Sequence, residues 1–596
     1  MADKSICLQN FLFLNEKINL ESLTIDNPNN FIYQKNTNSI HGSNPNLNKS
    51  ISFDGVINSF PVGYFSRFTK ITHIFLKGRF QGLIGFKIYL KDKDGEHILF
   101  QESSKIMDGT WESPSIPILN LEGRIYLICE VKGEFSLDNL GWFGVFSYEY
   151  VPSFLISITI FNSSKFKTML QDFCNYSPLL EFPISFLIVD NGQYFKEIDL
   201  PNDPRIILKA QKNLGAVGGT MRGIYTAKQL NTDYIVVIAD DDVICLPEML
   251  YRLIVFQSLT KKSISAGAMM MYTDRPNILH EQGAIFNFDS IRLLNSIDYE
   301  KNLALIGNID TLYVDRPCDF IGSWMMSAQT NSLPFTPAFF IYFGDILQGY
   351  LLCEKGIRNI VPPHIIIWQE FGWDSKLLTF RFYDWVRNEL VVRMLKQNYS
   401  SRRATIAWFL KPIISDLLSF DYERIKLFTR ALEDVFHPSE WALAPENGHQ
   451  RIIEIRQSIP QINDFSSHIS KKYIPTKFRK RSRLRSIGQR ILTYLTLAGY
   501  LNPFAKSVFK DGKYIYRFSN DNNFYQWWNY KKIVVIDSKG NGYLCERNII
   551  QALGLVITII ILLFRYQLCL SRLKKEYFRE SLDYEKIWNR VFQDIS

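Results

Sequence analysis

The run Tyr234-Ile-Val-Val-Ile-Ala, ending in Asp240-Asp241-Asp242-Val243, constrains this chain more than any other stretch. Consecutive apolar, β-branched residues suit a strand covered on both faces, the usual state of a parallel sheet. Ligands of open α/β sheets gather beyond the carboxyl ends of such strands. Three adjacent acids there repel one another until a cation or a donor-rich ligand neutralises them, so a divalent metal is the chemical reading. A solvated acidic turn is the bland one. Pro247 then stands where a helix should begin.

A chain of 596 residues needs more than one core. Residues 1–150 alternate short β-rich runs (Ile71–Leu76, Leu83–Leu90, Ser115–Leu119, Gly123–Val131) with polar clusters, among them a turn at Lys91–Gly95. That spacing predicts an N-terminal β-sandwich, jelly-roll-like, serving as a scaffold or for carbohydrate contact or oligomerisation. From 151 to 398 the pattern changes to strand Phe154–Phe161, helix Lys165–Phe173, strand Phe182–Asp190 and short strand Arg205–Lys209. The stretch Asn213-Leu-Gly215-Ala-Val-Gly218-Gly219-Thr-Met-Arg222-Gly223 then leads into a helix from Ile224 to Leu230. This order predicts a doubly wound, Rossmann-like α/β unit. The glycines match neither a P-loop nor Gly-x-Gly-x-x-Gly. They either let backbone N–H groups approach a ribose or phosphate, or pack the helix tightly on the sheet.

Val189-Asp190-Asn-Gly, Asn213-Leu-Gly-x-x-Gly-Gly and Ala239-Asp-Asp-Asp-Val, in that order, resemble family 2 glycosyltransferases of the GT-A fold. His280-Glu-Gln-Gly, Phe320-Ile-Gly-Ser-Trp, Phe339-Phe-Ile-Tyr-Phe-Gly-Asp345, Ile367-Trp-Gln369 and Phe382-Tyr-Asp-Trp-Val-Arg-Asn388 narrow the resemblance to the polymerising galactofuranosyltransferase branch. It implies a central GT-A domain (151–398) between the sandwich (1–150) and a mainly helical, basic, membrane-associating domain (399–596). It implies an inverting transfer of a sugar, galactofuranose in that branch, from a UDP-sugar to a cell-surface polysaccharide or glycolipid acceptor, with Mn2+ or Mg2+.

Carried over residue by residue, Asp240 and Asp242 become metal ligands, with Asp241 near the ribose. Asp190 falls at the nucleobase, and Asn213, Gly215, Gly218, Gly219 and Arg222 line the nucleotide pocket. Asp345 is the catalytic base, or else a helix cap. Here it is flanked by Gly344 and Leu347 where the family has further acids, and fewer like charges should lower its pKa. Gln369 replaces the family's metal-binding His, offering an amide oxygen; a weaker site, recruitment of nearby His364, or loss of activity would follow. Trp324, Phe343 and Trp373 are candidates for stacking on the acceptor sugar, or are core. The alternative to an enzyme is a non-catalytic carbohydrate-binding or assembly protein on a degenerate transferase fold.

Net charge is +9, unevenly placed: from residue 401 onward 32 Lys+Arg face 18 Asp+Glu. Residues 471–490 hold nine Lys/Arg and no acid, and 549–564 form an uncharged apolar stretch of 16 residues. That stretch is short for a span, so peripheral attachment to an anionic membrane surface competes with a buried bundle helix. No nucleic-acid module accompanies the charge. Scattered cysteines without Cys-x-x-Cys, and no basic start and apolar block, suggest a cytoplasmic protein on the inner face of the cell membrane, with a homo-oligomer as a further option.

Overall fold

The computed structural model describes residues 5–12, 32–34, 39–146, 150–161, 163–286, 291–294, 309–370, 380–395, 410, 412–465, 500, 502, 516–518, 530–536, 540–580 and 584–593. They belong to two compact units: Met1–Phe335 with Asp345–Phe371, and Thr336–Gly344 with Gly372–Asp594.

The first unit opens with one eight-stranded sheet rather than a set of short strands. Beside β1 (Ser5–Asn10), three long antiparallel strands dominate it: β2 (His73–Asp92), β3 (Gly95–Glu112) and β4 (Arg124–Val145). The runs expected as separate strands, Ile71–Leu76 and Leu83–Leu90, lie on β2, which shifts register against β4 at Lys77/Arg79 and Gly82/Leu83. Gly82 (φ +111°) reads as a turn residue but makes a bulge; a Cβ there would sit 2.4 Å from the Glu134 carbonyl oxygen. The Lys91–Gly95 turn does close the β2–β3 hairpin.

Next comes a seven-stranded sheet built from β5 (Phe154–Ile160), β6 (Ile184–Asp190), β7 (Ile206–Ala210), β8 (Tyr234–Ile238), β9 (Ile264–Gly267), β12 (Met326–Gln329) and β13 (Arg358–Ile360). Its order is β7-β6-β5-β8-β12-β9-β13. The first four strands are parallel, and β12 runs antiparallel to both β8 and β9. Every residue of β5 is buried, the hydroxyls of Ser157 and Thr159 included, as befits a strand covered on both faces. Between strands run α1 (Lys165–Asn175), α2 (Gly215–Gln229) and α3 (Pro247–Ser258), the last with Pro247 in its first turn. A separate three-stranded sheet joins β10 (Met269–Tyr272) to β11 (Leu279–Glu281) and to β14 (Ile366–Gln369), and α4 (Gly344–Glu354) follows β12 in the chain.

α3 also anchors β1. Glu248 accepts from the Asn10 backbone N (2.7 Å) and Nδ2 (2.9 Å) and from Arg252 Nε (2.8 Å), while Arg252 Nη1 donates to the Ile57 and His364 carbonyls. The pair is nearly solvent-free, so each charge depends on the other and on these bonds.

In the second unit, α5 (Phe380–Leu395) packs on α6 (Tyr422–Val435) and on α7 (Ile549–Glu580). The chain turns at Phe420 (φ +50°), and α6 starts with Asp421 as its cap. Tyr516–Phe518 lies parallel to β15 (Lys532–Ile536), whose hairpin partner is β16 (Asn541–Glu546). The basic run 471–490 lies outside the described residues.

The glycine stretch does not precede the helix; it is the first two turns of α2. Gly219 and Gly223, one turn apart, face β5. A Cβ at 219 would sit 2.2 Å from Thr159 Cγ2, and one at 223 would sit 2.4 Å from Ser157 Oγ. Gly219→Ala is therefore expected to cost about 1–3 kcal/mol by overpacking. The check is the urea midpoint of the purified chain; an unchanged midpoint would show that α2 has room to move away.

Candidate active site

β8 carries the three aspartates to its carboxyl end, and the Ala239 N–H donates to the Ser323 carbonyl at 2.8 Å. The acids and the Gly322–Trp324 segment thus leave the sheet side by side. Two residues past Asp242, Ile244 exchange reciprocal backbone bonds with Trp368 (2.7 and 3.0 Å). This clamp fixes β14, whose register against β10 pairs Gln369 with Tyr272.

The outcome is a bridge. Gln369 Nε2 donates to Asp240 Oδ2 at 2.9 Å and to Asp242 Oδ1 at 3.0 Å. One polar atom thus lies within hydrogen-bond reach of both carboxylates, where their repulsion is greatest. Among the described residues no three His, Cys, Asp or Glu side chains converge as a metal cage. Two carboxylates and an amide form a hard-oxygen set of the kind that Mg2+ or Mn2+ takes alongside substrate phosphates and water. Turning the amide over places Oε1 where Nε2 stands. The residues present fit such an ion, Gln369 among them.

His364 does not join this set in the structure. Its ring is fully buried, 5.6 Å from Phe65 and 6.1 Å from Phe256, and burial holds its pKa well below the ordinary histidine value.

Asp241 turns the other way, accepting from the Phe161 backbone N (2.9 Å) and joining the ends of β8 and β5. Burial, then Asp242 and Asp240, push its pKa up. Asp190 is fully buried, and its two oxygens accept from the Gly192 and Phe195 N–H groups of its own loop. The site expected to touch a base therefore organises the loop that would. Beside it, Arg222 Nε donates to Gln211 Oε1, Gln211 Nε2 to Asn191 Oδ1, and Asn191 Nδ2 to the Gly215 carbonyl. Asn213 Oδ1 accepts from the Gly215 N–H, and Gly215 adopts φ +75°. Asn213, Gly215 and Arg222 thus join the ends of β6 and β7 to the start of α2. Gly218 is buried in the same turn, and Gly219 is committed to Thr159.

Asp345 stands in the first turn of α4, its Oδ1 accepting from the Ile346 N–H (2.8 Å). Its pKa is pushed up to about 6, by burial first and by Asp240 among the lesser causes. This reverses the lower value expected from its sequence neighbours, because solvent exclusion outweighs them. Glu281, which the sequence reading left without a role, is 2% exposed with its pKa raised to about 8 by burial and then by Asp345. Its Oε1 has no hydrogen-bond partner. Adjacent His280 is held near 4 by burial, accepts or donates at Nδ1 with the Tyr272 hydroxyl (3.0 Å), and lies edge-on 6.1 Å from Trp324. The half-buried Trp324 folds over Gly322, and its indole N–H meets no acceptor.

Phe343 takes the core alternative. It is 1% exposed and packs 5.1 Å from Trp385 within the second unit, so its stacking face is covered. Trp373 lies outside the described residues. Two exposed aromatics were missed, Phe161 and Tyr194, in edge contact at 5.9 Å beside the Asp190 loop. Their only signal was position, just past the acid-bearing strand ends.

No family model matches the chain. Over 415 residues it is 24% identical to the galactofuranosyltransferase GlfT2 of Mycolicibacterium smegmatis, covering 64% of this chain and 63% of that protein, so it spans just under two thirds of the relative's length. Among solved structures it is similar to GalNAc-T7 with UDP, GalNAc and Mn2+ (TM-score 0.34, 10% identity, 46% of this chain and 52% of that one). It is also similar to the mannosyltransferase PcManGT of Pyrobaculum calidifontis with GDP-Man and Mn2+ (TM-score 0.27, 10% identity, 49% and 76%). Superpositions at such TM-scores carry no weight on site or substrate.

Replacing the amide by an imidazole is expected to strengthen cation binding. Gln369→His should tighten Mn2+ by roughly tenfold, or about 1.4 kcal/mol. Free Mn2+ measured by electron paramagnetic resonance in a titration without nucleotide reads this directly; an unchanged constant would place residue 369 outside the ligand set.

Proposed function

We propose that this chain is a nucleotide-sugar-dependent glycosyltransferase that inverts the donor's anomeric centre, with UDP-galactofuranose as the donor and a growing cell-surface glycan as the acceptor. The observation that carries the reading is the Gln369 bridge over Asp240 and Asp242, with a proton-binding carboxyl, Asp345, electrostatically linked to Asp240. Similarity to a galactofuranosyltransferase supports the donor sugar.

Asp240, Asp242 and Gln369 would hold a divalent ion, and the chemistry gained there would be charge neutralisation for a departing diphosphate. The protein's own groups supply the rest. Asp345, ionised above about pH 6, accepts the acceptor hydroxyl's proton while that oxygen bonds to the anomeric carbon and the carbon–diphosphate oxygen bond breaks. Glu281 holds its proton up to about pH 8, so over the neutral range it adds no further negative charge near Asp345. Trp324 offers an aromatic face and an unsatisfied N–H to a sugar ring. Phe161 and Tyr194 offer exposed faces to a nucleobase. All eight thiols are free, in keeping with a reducing, cytoplasmic setting.

Mass spectrometry of glycan products from a panel of nucleotide sugars tests the donor. Asp345→Asn should lower kcat by about 10²–10⁴ while UDP affinity stays unchanged. If neither this variant nor Asp242→Ala alters product, the enzyme reading fails and a carbohydrate-binding role takes its place.

The pH profile follows from the two carboxyls. A raised carboxyl pKa means that the base is protonated, and lost, below it, so kcat/KM should fall as pH drops through about 6. Ionisation of Glu281 near pH 8 puts a second negative charge beside Asp345 and should bound the profile from above. Glu281→Gln should keep the lower limb and remove the upper. A wild-type lower limb near pH 4 would contradict the burial assigned to Asp345.

A further inference from the structure

α7 is apolar on two sides. One side, with Ala552, Ile559, Leu562, Tyr566, Leu570 and Tyr577, is buried within the second unit, where Tyr577 donates to the Val435 carbonyl and Arg565 covers the Phe436 ring at 4.4 Å. The other side is open. Ile550, Leu553, Ile557, Ile560, Ile561, Phe564 and Leu568 are 57–80% exposed. Advancing by 100° per residue, they fall on one stripe about 30 Å long. Isolated exposed apolar residues need no explanation, whereas seven large ones in a row on one helix face do.

The same stripe changes character at its end. One turn past Leu568 it continues through Ser571, Arg572 and Lys575, all exposed. The surrounding sequence, from residue 401 onward, carries an excess of 14 positive charges. An apolar strip running into cations complements an acyl layer bordered by anionic headgroups.

We propose that α7 is an in-plane membrane helix: its open stripe lies in the headgroup–acyl boundary of an anionic bilayer while its other face stays in the second unit. The helix has the length and composition to cross a membrane. Spanning would pull Ile559, Leu562, Tyr566 and Tyr577 from their packing and break the Tyr577 bond, whereas lying flat keeps both. The inference is independent of the transferase reading, because it uses no residue of the site.

Flotation of the full chain with vesicles of phosphatidylglycerol and phosphatidylcholine tests it, alongside sedimentation velocity and circular dichroism. Wild type should float with anionic vesicles, weakly with phosphatidylcholine alone, and be released by alkaline carbonate. Leu553→Gln/Ile560→Gln/Phe564→Gln should lose about tenfold or more in partitioning with helicity retained. Arg572→Glu/Lys575→Glu, which leaves the apolar strip untouched, should lose selectivity for the anionic vesicles. Retention through carbonate would overturn the in-plane placement. Absence of flotation, together with an oligomer that the triple variant dissociates, would assign the stripe to a second copy of the chain instead.

Discussion

The repulsion between Asp240 and Asp242 is the constraint on which the site depends. Two carboxylates one residue apart at a strand end cost several kcal/mol if left facing each other in a partly dry cleft. The protein offsets this with one uncharged donor, the Gln369 amide, brought from β14 on the far side of a second small sheet. Its placement is not local. β14 is held by the parallel register with β10 and by the Ile244–Trp368 clamp, and these together fix where residue 369 emerges. A neutral bridging donor also leaves both negative charges in place, available to a cation that offers more.

The second theme is burial deciding proton affinity. Counting acids along the sequence around Asp345 points to a low pKa. The fold instead surrounds it with low-dielectric packing and brings Asp240 and Glu281 within electrostatic range from other strands. Desolvation acts on each carboxyl separately and mutual repulsion then spreads the two apart, the pattern by which environment assigns different duties to like groups. His280 follows the same logic with opposite sign, since burial disfavours its charged form. It stays neutral, and its tie to Tyr272 orients the ring against Trp324.

How much of this was legible in the sequence follows from range. Strand β8, Asp190 at the end of β6, Pro247 at the start of α3 and the Lys91–Gly95 turn depend on local patterning and were readable from it. The convergence of Gln369 on Asp240 and Asp242 was readable only through family resemblance, since no periodicity links positions 127 residues apart. Glycines were one place where local signals left the structure open. Gly82 bulges a long strand, and Gly219 and Gly223 continue a helix because the sheet behind them leaves no room for a side chain. A glycine's freedom and its smallness leave the same letter in the sequence, and only the neighbour distinguishes them. Glu281 was hidden for a related reason: an acid in a β-rich motif looks solvated until its strand is seen to be buried.

Phe343, of the two readings open to it, is core, and its backbone shows what holds it there. It and Tyr342 adopt φ of +67° and +60°, a conformation costing about 1–3 kcal/mol each for residues with side chains. Within the second unit, Asn388 Nδ2 donates to the carbonyls of Ile341 (2.7 Å) and Tyr342 (3.2 Å), and Trp385 takes the Phe343 and Tyr342 rings in edge contacts. A fully buried amide and an indole from one helix therefore over-determine a strained turn, which relaxation would otherwise remove. That turn runs directly into Gly344 and Asp345. Conformational strain of this kind persists only where surrounding structure insists on it. The aromatic at 343 thus takes part in locking the backbone of its own unit.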